Sequence, residues 1–408
     1  MIKKVRIEYL KPGIFVHDFN CGFNSSYLLA NQALIKDIKI IDHLRSFGIK
    51  EVYIDTDKGD DINDAEPEIE AKQGTDKGLR RLASEEPVSI RNVPLKEELL
   101  VAQNIKNQAV NVIQNAIKNV SEGKPLETAE AYDLIAKMEK SVTRNRDALV
   151  LLARIRKKDE YTLMHSISVG AYVLNFCNFY KVPHKRTLSL AIGALFHDIG
   201  KTKIPLSILN KPGKLEEAEF AEMKRHALYS AEVLQSATDL PEEAYDMGLH
   251  HHERYDGSGY PHGLKGDEIK TGSQLCAIAD VFDAITSDRC YRNGMGRVEG
   301  LRKLYEWSEH HFNKDLTHKF IRSIGVYPIG SCVRLDSGRI GVVVGSTENL
   351  MQPVVRIFHD EKSKGTFPVQ DLDLSLTDDQ VVSYEDPEKW NINSMNLFEK
   401  SISDLLTL

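Results

Sequence analysis

The 408-residue chain lacks any pair of closely spaced cysteines. Its five, Cys21, Cys177, Cys276, Cys290 and Cys332, are scattered, odd in number and form no CxxC. That argues against a disulfide framework or a zinc ribbon and fits a reducing cytoplasm. No apolar run approaches a membrane span; the longest, around 188–196, falls far short. The opening MIKKVRIEYLK is too charged for the apolar stretch of a secretion signal. Excess positive charge is missing too: 53 Lys and Arg against 60 Asp and Glu leave a net charge of −7. Nothing global therefore favours polymeric nucleic acid or an anionic membrane, and an anionic ligand would have to be drawn by local charge. What remains is ordinary for a globular protein, 41% hydrophobic and 28% charged, and long enough for roughly two or three domains.

The pattern predicts a mainly α chain with a small N-terminal α/β module and a C-terminal β-hairpin extension. Val5, Ile7 and Tyr9 alternate, and Lys11-Pro12-Gly13 signals a turn. Ile38, Ile41, Leu44 and Phe47 have helical spacing; Gly48 is a stop signal, and Val52 to Ile54 reads as a strand. From Thr56 to about Pro94 the chain turns polar and reads as a linker or mobile loop that completes an accessory unit over 1–94. An amphipathic helix is predicted over 95–120 within a connecting segment 95–125, with Ile105, Ala109, Val112, Ala116 and Val120 on one stripe. It reads either as a helix packed on the next domain or as the seam of a homodimer. Residues 126–325 show helical patterning without convincing strands. Beyond 326 the alternation around Asp336-Ser337-Gly338 predicts a hairpin or small β-subdomain, and NLFEKSISDLL near the end a last helix.

The central segment is rich in metal-ligand side chains: His165, His197-Asp198 within HDIGK, His226, the run HHHERYDGSGYP over 250–261, and Asp280. In a helical core such groups are costly unless they coordinate something. Adjacent His197 and Asp198 diverge by about 100° on a helix, so they suit a site in which the aspartate bridges two ions and the histidine caps one. Alone, an HD pair also reads as a capped helix end. Gly200 allows a tight turn away from the metals. Lys201 reads either as a lysine reaching back to a phosphate or as a solvated one at a helix C-terminus. Three consecutive histidines are rarer; with Glu253 they read either as ligands, one of them oriented by the glutamate, or as a polar surface helix end. DGSGYP, which lacks the GKS/GKT end of a phosphate loop, reads as a sharp turn or as a wall of a pocket. Asp280 and Asp283, at i and i+3, share a helix face: one a ligand, the other a structural partner. Arg289 and Arg292 repeat that spacing, as surface salt-bridge partners or as a cationic patch for phosphate.

Taken together, HDIGK, HHERYDGSGYP and ADVFDAITSDRCYR resemble the HD-GYP subgroup of the HD phosphohydrolase superfamily, over roughly residues 145–325. RIEYLKPGIFV and YPIGSCVRLDSGRIGVVV resemble segments that flank this domain in some bacterial members, the first from a domain without an established role. The resemblance implies an all-helical, metal-dependent phosphodiesterase acting on cyclic di-GMP or 3′,3′-cyclic GMP-AMP. It implies that His165, His197, Asp198 and Asp280 surround one metal, and that His226, His251 and His252 surround a second, with Asp198 bridging. Lys201 matches the phosphate-contacting lysine; Arg289, Arg292, Gly259 and Tyr260 match substrate contacts. It further implies docking of diguanylate cyclase-type proteins through the GYP loop.

Three-metal members carry a glutamate one turn before the first histidine. Here that position is Tyr161, with Glu160 off the face, so two divalent ions are expected: iron or manganese by resemblance, with zinc also compatible with the ligand set. Two-metal chemistry then predicts attack on phosphorus by a hydroxide bridging the ions, with Asp198 and Lys201 in the catalytic set, to give a 5′-phosphorylated linear dinucleotide. Base preference and the second cleavage stay open at this level. The competing readings are a phosphohydrolase of another nucleotide, which the GYP loop and added histidines disfavour, and a non-catalytic cyclic-dinucleotide sensor, which the full ligand set disfavours.

Overall fold

The computed structural model of the chain describes residues 1–21, 32–63, 65–84, 93–154, 161–211, 213–237, 239–287, 294–361 and 370–390. The N-terminal module is an antiparallel sheet in the order β3-β2-β4-β1-β5, formed by β1 (Ile2–Arg6), β2 (Phe15–Asp18), β3 (Ala33–Leu34), β4 (Glu51–Asp55) and β5 (Glu66–Pro67). Strand alternation buries Val5, Val16, Val52 and Ile54 on one core with Ile41 and Leu44 of the helix Ile38–Ser46. The predicted alternation stops early. After Arg6 the chain enters the 3-10 turn Ile7–Tyr9, which buries Ile7 but leaves Tyr9 59% exposed.

The linker reading of Thr56 to Pro94 is overturned over residues 68–83, while residues 85–92 lie outside the described residues. Glu68–Ala83 is a helix whose Ala71, Thr75, Leu79 and Leu82 face inward. Its apolar content is low, so the sequence pattern was weak. Its ordering comes from across the chain: Arg302 of the helix Arg297–Trp307 grips Asp76 with two bonds of 2.7 and 2.9 Å. Such paired, partly buried guanidinium–carboxylate bonds are the stronger kind.

The helix Leu95–Ser121 forms as expected, but its buried stripe runs through Leu99, Ala102, Ile105, Ala109, Ile113, Ala116 and Val120. Val112 is only partly buried, because the 3.6-residue period places Ile113, not Val112, below Ala109. The stripe packs on the helices Ala129–Arg144 and Ala148–Arg154 of the same chain. Its large exposed apolar side chains are Leu100 and Val101, which favours the packed-helix reading over a dimer seam.

The central domain wraps three helices around an aromatic triad. Tyr172 of Tyr161–Phe179, Phe282 of Thr271–Thr286 and Phe320 of Lys314–Ile324 meet edge to face at 5.4, 6.1 and 5.9 Å between centroids. This packing sets the register of the helices that carry His165 and Asp280. Beyond it lies a sheet of order β10-β6-β7-β8-β9, built from β6 (Cys332–Leu335), β7 (Arg339–Gly345), β8 (Val354–Asp360), β9 (Gln370–Asp373) and β10 (Val381–Tyr384). The extension is thus larger than a hairpin, and Val333, Val343, Val355 and Ile357 join the helical core. The expected tail helix lies outside the described residues, and among the described residues no helix is long and apolar enough to cross a membrane.

The phase of the connecting helix is testable. Ile113→Ala should cost about 3 kcal/mol and Val112→Ala about 1 kcal/mol or less, read as the difference in urea unfolding midpoints. Equal costs would contradict the stripe described here.

Candidate metal centre

Five helices bring the ligand-type side chains together, three at their ends and two from within. His197 caps the helix His184–Phe196, with Asp198 next in the chain. His226 opens the helix His226–Ser236. His251 caps Glu242–His250, and His252 follows. His165 and Asp280 project from within Tyr161–Phe179 and Thr271–Thr286. All seven side chains are buried, and they form two groups: His165, His197 and Asp280, and Asp198, His226, His251 and His252. Asp198 lies between the groups. Its Oδ2 is 3.4 Å from His197 Nε2 and 3.7 Å from His165 Nε2; its Oδ1 is 3.3 Å from His226 Nε2 and 3.7 Å from His251 Nε2.

The imidazoles are oriented by their other nitrogen. Nδ1 of His197 donates to Ala194 O at 2.8 Å, that of His226 to Met223 O at 2.7 Å, and that of His251 to Met247 O and Gly248 O at 3.1 and 3.0 Å. A carbonyl only accepts, so these Nδ1 atoms hold the proton and each Nε2 presents a lone pair. His165 Nδ1 instead meets Asp283 at 2.7 Å, which turns its Nε2 to within 3.0 Å of Asp280. The Nε2 lone pairs of His226 and His251 therefore face each other across 3.4 Å, with His252 Nε2 a further 2.9 Å contact of His226 Nε2. His197 Nε2 and Asp198 Oδ1 are buried without a hydrogen-bond partner. Converging lone pairs and carboxylate oxygens repel unless a cation lies among them, so the donor set fits divalent metal ions.

The electrostatics agree. Burial pushes His226 down to about 3, and burial with neighbouring imidazoles lowers His251 and His252 as well. These rings are neutral at physiological pH, the form that binds metal. Burial also opposes charge on His165, but Asp280 and Asp283 outweigh it and raise its pKa. Burial would raise Asp198, yet Lys201 and His197 hold it well below the usual carboxylate range.

Comparison with known proteins adds lineage to this geometry. Residues 128–316 match the model of the HD domain, and residues 2–131 match a domain of unknown function, DUF3391. The chain is 35% identical over 407 residues to cyclic di-GMP phosphodiesterase PA4108 of Pseudomonas aeruginosa, covering 97% of this chain and 95% of that protein. It is 34% identical over 163 residues to 3'3'-cGAMP-specific phosphodiesterase 2 of Vibrio cholerae, covering 40% of this chain and 31% of that protein. Bd1817, an HDG"Y"P protein from Bdellovibrio bacteriovorus, superposes with a TM-score of 0.47 at 17% identity, over 79% of this chain and 99% of that one, too loosely to carry weight. The chain belongs to the HD-GYP family.

Within the HD-GYP frame, several side chains differ from the roles the sequence suggested. Glu253 orients no histidine; its carboxylate accepts backbone N–H groups of His262, Gly263 and Leu264 at 2.7, 3.1 and 3.1 Å and so shapes the GYP loop. His250 turns away from the cluster, toward Asp246 at 3.0 Å and His262 at 3.0 Å. Gly200 does not supply an unusual φ: a Cβ there would run into the backbone of His226 to Ser230, so the glycine serves close approach. Lys201 is neither free nor extended; its Nζ sits 2.5 Å from Asp198 Oδ2. Tyr260 of the GYP loop lies against His252, ring centroids 4.7 Å apart, as a wall of the site. A Cβ at Gly259 would strike the backbone of Glu253 and Arg254. Arg289 and Arg292 lie outside the described residues. The orienting carbonyls of Ala194, Met223 and Met247 have no sequence signal, whereas Asp283 was legible from its spacing to Asp280.

The depressed histidines set a sign for acid stability. Unfolded imidazoles protonate near 6.5, whereas folded His226 resists to about 3. Between those values the unfolded state binds more protons, so stability drops as pH falls through the window. His251 and His252 act in the same direction. His165 opposes them, its contribution being present below the unfolded value and lost as pH rises through its raised one. Chelator-stripped protein should unfold at lower urea near about pH 5.5 than near about pH 7.5. An unchanged or higher midpoint at the acid pH would refute this account.

Proposed function

We propose that the chain is a metal-dependent phosphodiesterase that opens cyclic di-GMP or 3′,3′-cyclic GMP-AMP to a 5′-phosphorylated linear dinucleotide. The observation that supports it most is Asp198, whose two oxygens face separate ligand groups, each completed by buried imidazoles. The 35% identity to a cyclic di-GMP phosphodiesterase, spanning nearly both chains, supports the substrate class.

His165, His197, Asp280 and Asp198 would hold one ion; His226, His251, His252 and Asp198 the second. Iron or manganese is the reading for both, and zinc suits the same donors. When bound, two such ions activate water and neutralise charge developing on a phosphoryl group. The chain's own groups prepare the rest. Lys201 balances the Asp198 carboxylate at 2.5 Å and, released from it, offers Nζ to a nonbridging phosphate oxygen, which stabilises the transition-state charge. Tyr260 packs on His252 and shields that edge of the site from water. Arg289 and Arg292 are assigned as further phosphate contacts from the family motif. Residues 1–94 are assigned as the accessory module, 95–125 as the connecting segment, 126–325 as the catalytic domain and 326–408 as the β extension with its tail. The homodimer is a reading of the amphipathic stripe over 95–120, and cyclase-type partners at the GYP loop are a reading of family likeness.

The deciding assay is turnover of both cyclic dinucleotides side by side with manganese or ferrous iron. The double variant His197→Ala/Asp198→Ala should lose hydrolysis by at least about a thousandfold, and the ratio of wild-type rates names the substrate. Binding without turnover by metal-loaded wild type would establish a sensor instead. A second expectation concerns Asp283: Asp283→Asn should weaken manganese binding about 10- to 100-fold by calorimetry. Unchanged affinity would remove Asp283 from the site.

A further inference from the structure

The N-terminal module ends one of its elements on the GYP loop. The helix Ile38–Ser46 is capped by Phe47, whose carbonyl accepts a bond of 3.2 Å from Arg254 Nη1. Arg254 is only 8% exposed and stands between Glu253 and the glycine-rich turn. Gly48 follows at φ +75°, and a Cβ there would lie 2.8 Å from the Cβ of Ser258 and 3.3 Å from Asp256 Oδ2. Asp256 in turn accepts from Ser258 N and Oγ at 2.9 and 2.6 Å. Two residues on, Tyr260 rests against His252. An unbroken run of close contacts thus leads from Phe47 and Gly48 through Arg254 and Ser258 to a ring of the metal cluster.

The same module is fixed on a second side. Lys303, 6% exposed, donates to Asp18 at 2.9 Å and Asn20 at 2.8 Å, and Trp307 Nε1 donates to Asn20 O at 3.1 Å. Tyr53 donates to Glu306 at 2.9 Å. Trp307, His251, His252, Arg254 and His311 line one small cavity, so this anchorage also borders the cluster.

We infer that the N-terminal module is a positioning element of the active centre: Phe47 and Gly48 set the GYP loop, and through it Tyr260, against His252. Arg254 and Ser258 are the positioning residues on the catalytic side. The activity arm of the test rests on the proposed phosphodiesterase; the exchange arm does not.

The experiment uses the full chain carrying Gly48→Ala, Ser258→Gly, both together, and Arg254→Met. In Gly48→Ala the new methyl meets Ser258, so the loop must shift. kcat should fall on the order of tenfold with metal content per chain unchanged, and amide hydrogen exchange over 257–264 should speed up. Ser258→Gly removes the atoms that the methyl strikes but not the strain of a positive φ, and it loosens the loop itself by losing the Oγ bond to Asp256. The effect of Gly48→Ala should therefore be smaller in the Ser258→Gly background than in wild type, which separates contact from strain. Arg254→Met removes the bond to Phe47 and should likewise lower kcat and loosen the loop, which keeps the test alive where Gly48→Ala does not fold. Unchanged exchange and kcat in both Gly48→Ala and Arg254→Met, or a foldable Gly48→Ala whose effect is as large in the Ser258→Gly background as in wild type, would overturn the inference. Loop exchange that responds in a protein without cyclic-dinucleotide turnover would retain the positioning role and discard the substrate reading.

Discussion

Everything around the centre answers to one constraint: the Asp198 carboxylate is buried among imidazole nitrogens whose protons are committed elsewhere. A buried charge or lone pair without a partner costs several kcal/mol or about 1–3 kcal/mol respectively. Lys201 offsets part of the charge, at 2.5 Å from one oxygen. It cannot satisfy Asp198 Oδ1 or His197 Nε2, which have no hydrogen-bond partner. The fold tolerates this arrangement because cations can occupy the space between the donors. Stability and metal affinity are therefore linked, since each bound ion removes an unfavourable contact from the folded state alone.

The helix ends solve the orientation problem. A helix leaves its last four carbonyls without intrahelical donors. His197 and His251 sit just past such ends and use those carbonyls, Ala194 O, Met247 O and Gly248 O, to hold Nδ1. His226 does the same with Met223 O from the helix Glu217–Lys224. His165 projects from within a helix, where the carbonyls are already paired, and so needs a side chain, Asp283. The difference appears in the charges. Carboxylates on both nitrogens raise His165, while burial dominates and lowers His226 and His251.

Chemistry was more legible in the sequence than architecture. Ligand types and their chain order follow from side chains, so the HD pair, the histidine run and the i, i+3 aspartates could be read directly. Helix Glu68–Ala83 was not, because much of its support comes from Arg302, more than two hundred positions away. The inward residue of the connecting helix slipped by one, from Ile113 to Val112, because both are apolar and only packing sets the phase. Glu253 was misassigned for a related reason. Its partners are backbone N–H groups of residues 262–264, which carry no side-chain signature.

The glycines of the motifs then take on a different meaning. Gly200 has no positive φ; it is small because the helix starting at His226 passes directly over it, and that overlap brings His226 to Asp198. Gly259 similarly lets the turn lie on the backbone of Glu253 and Arg254, which brings Tyr260 to His252. A methyl at either place would separate two backbones and carry a ring away from its partner. Metal coordination tolerates displacements of only tenths of an ångström. The small residues in HDIGK and DGSGYP are thus distance constraints on the metal centre as much as turn formers, and the centre depends on them as it depends on its ligands.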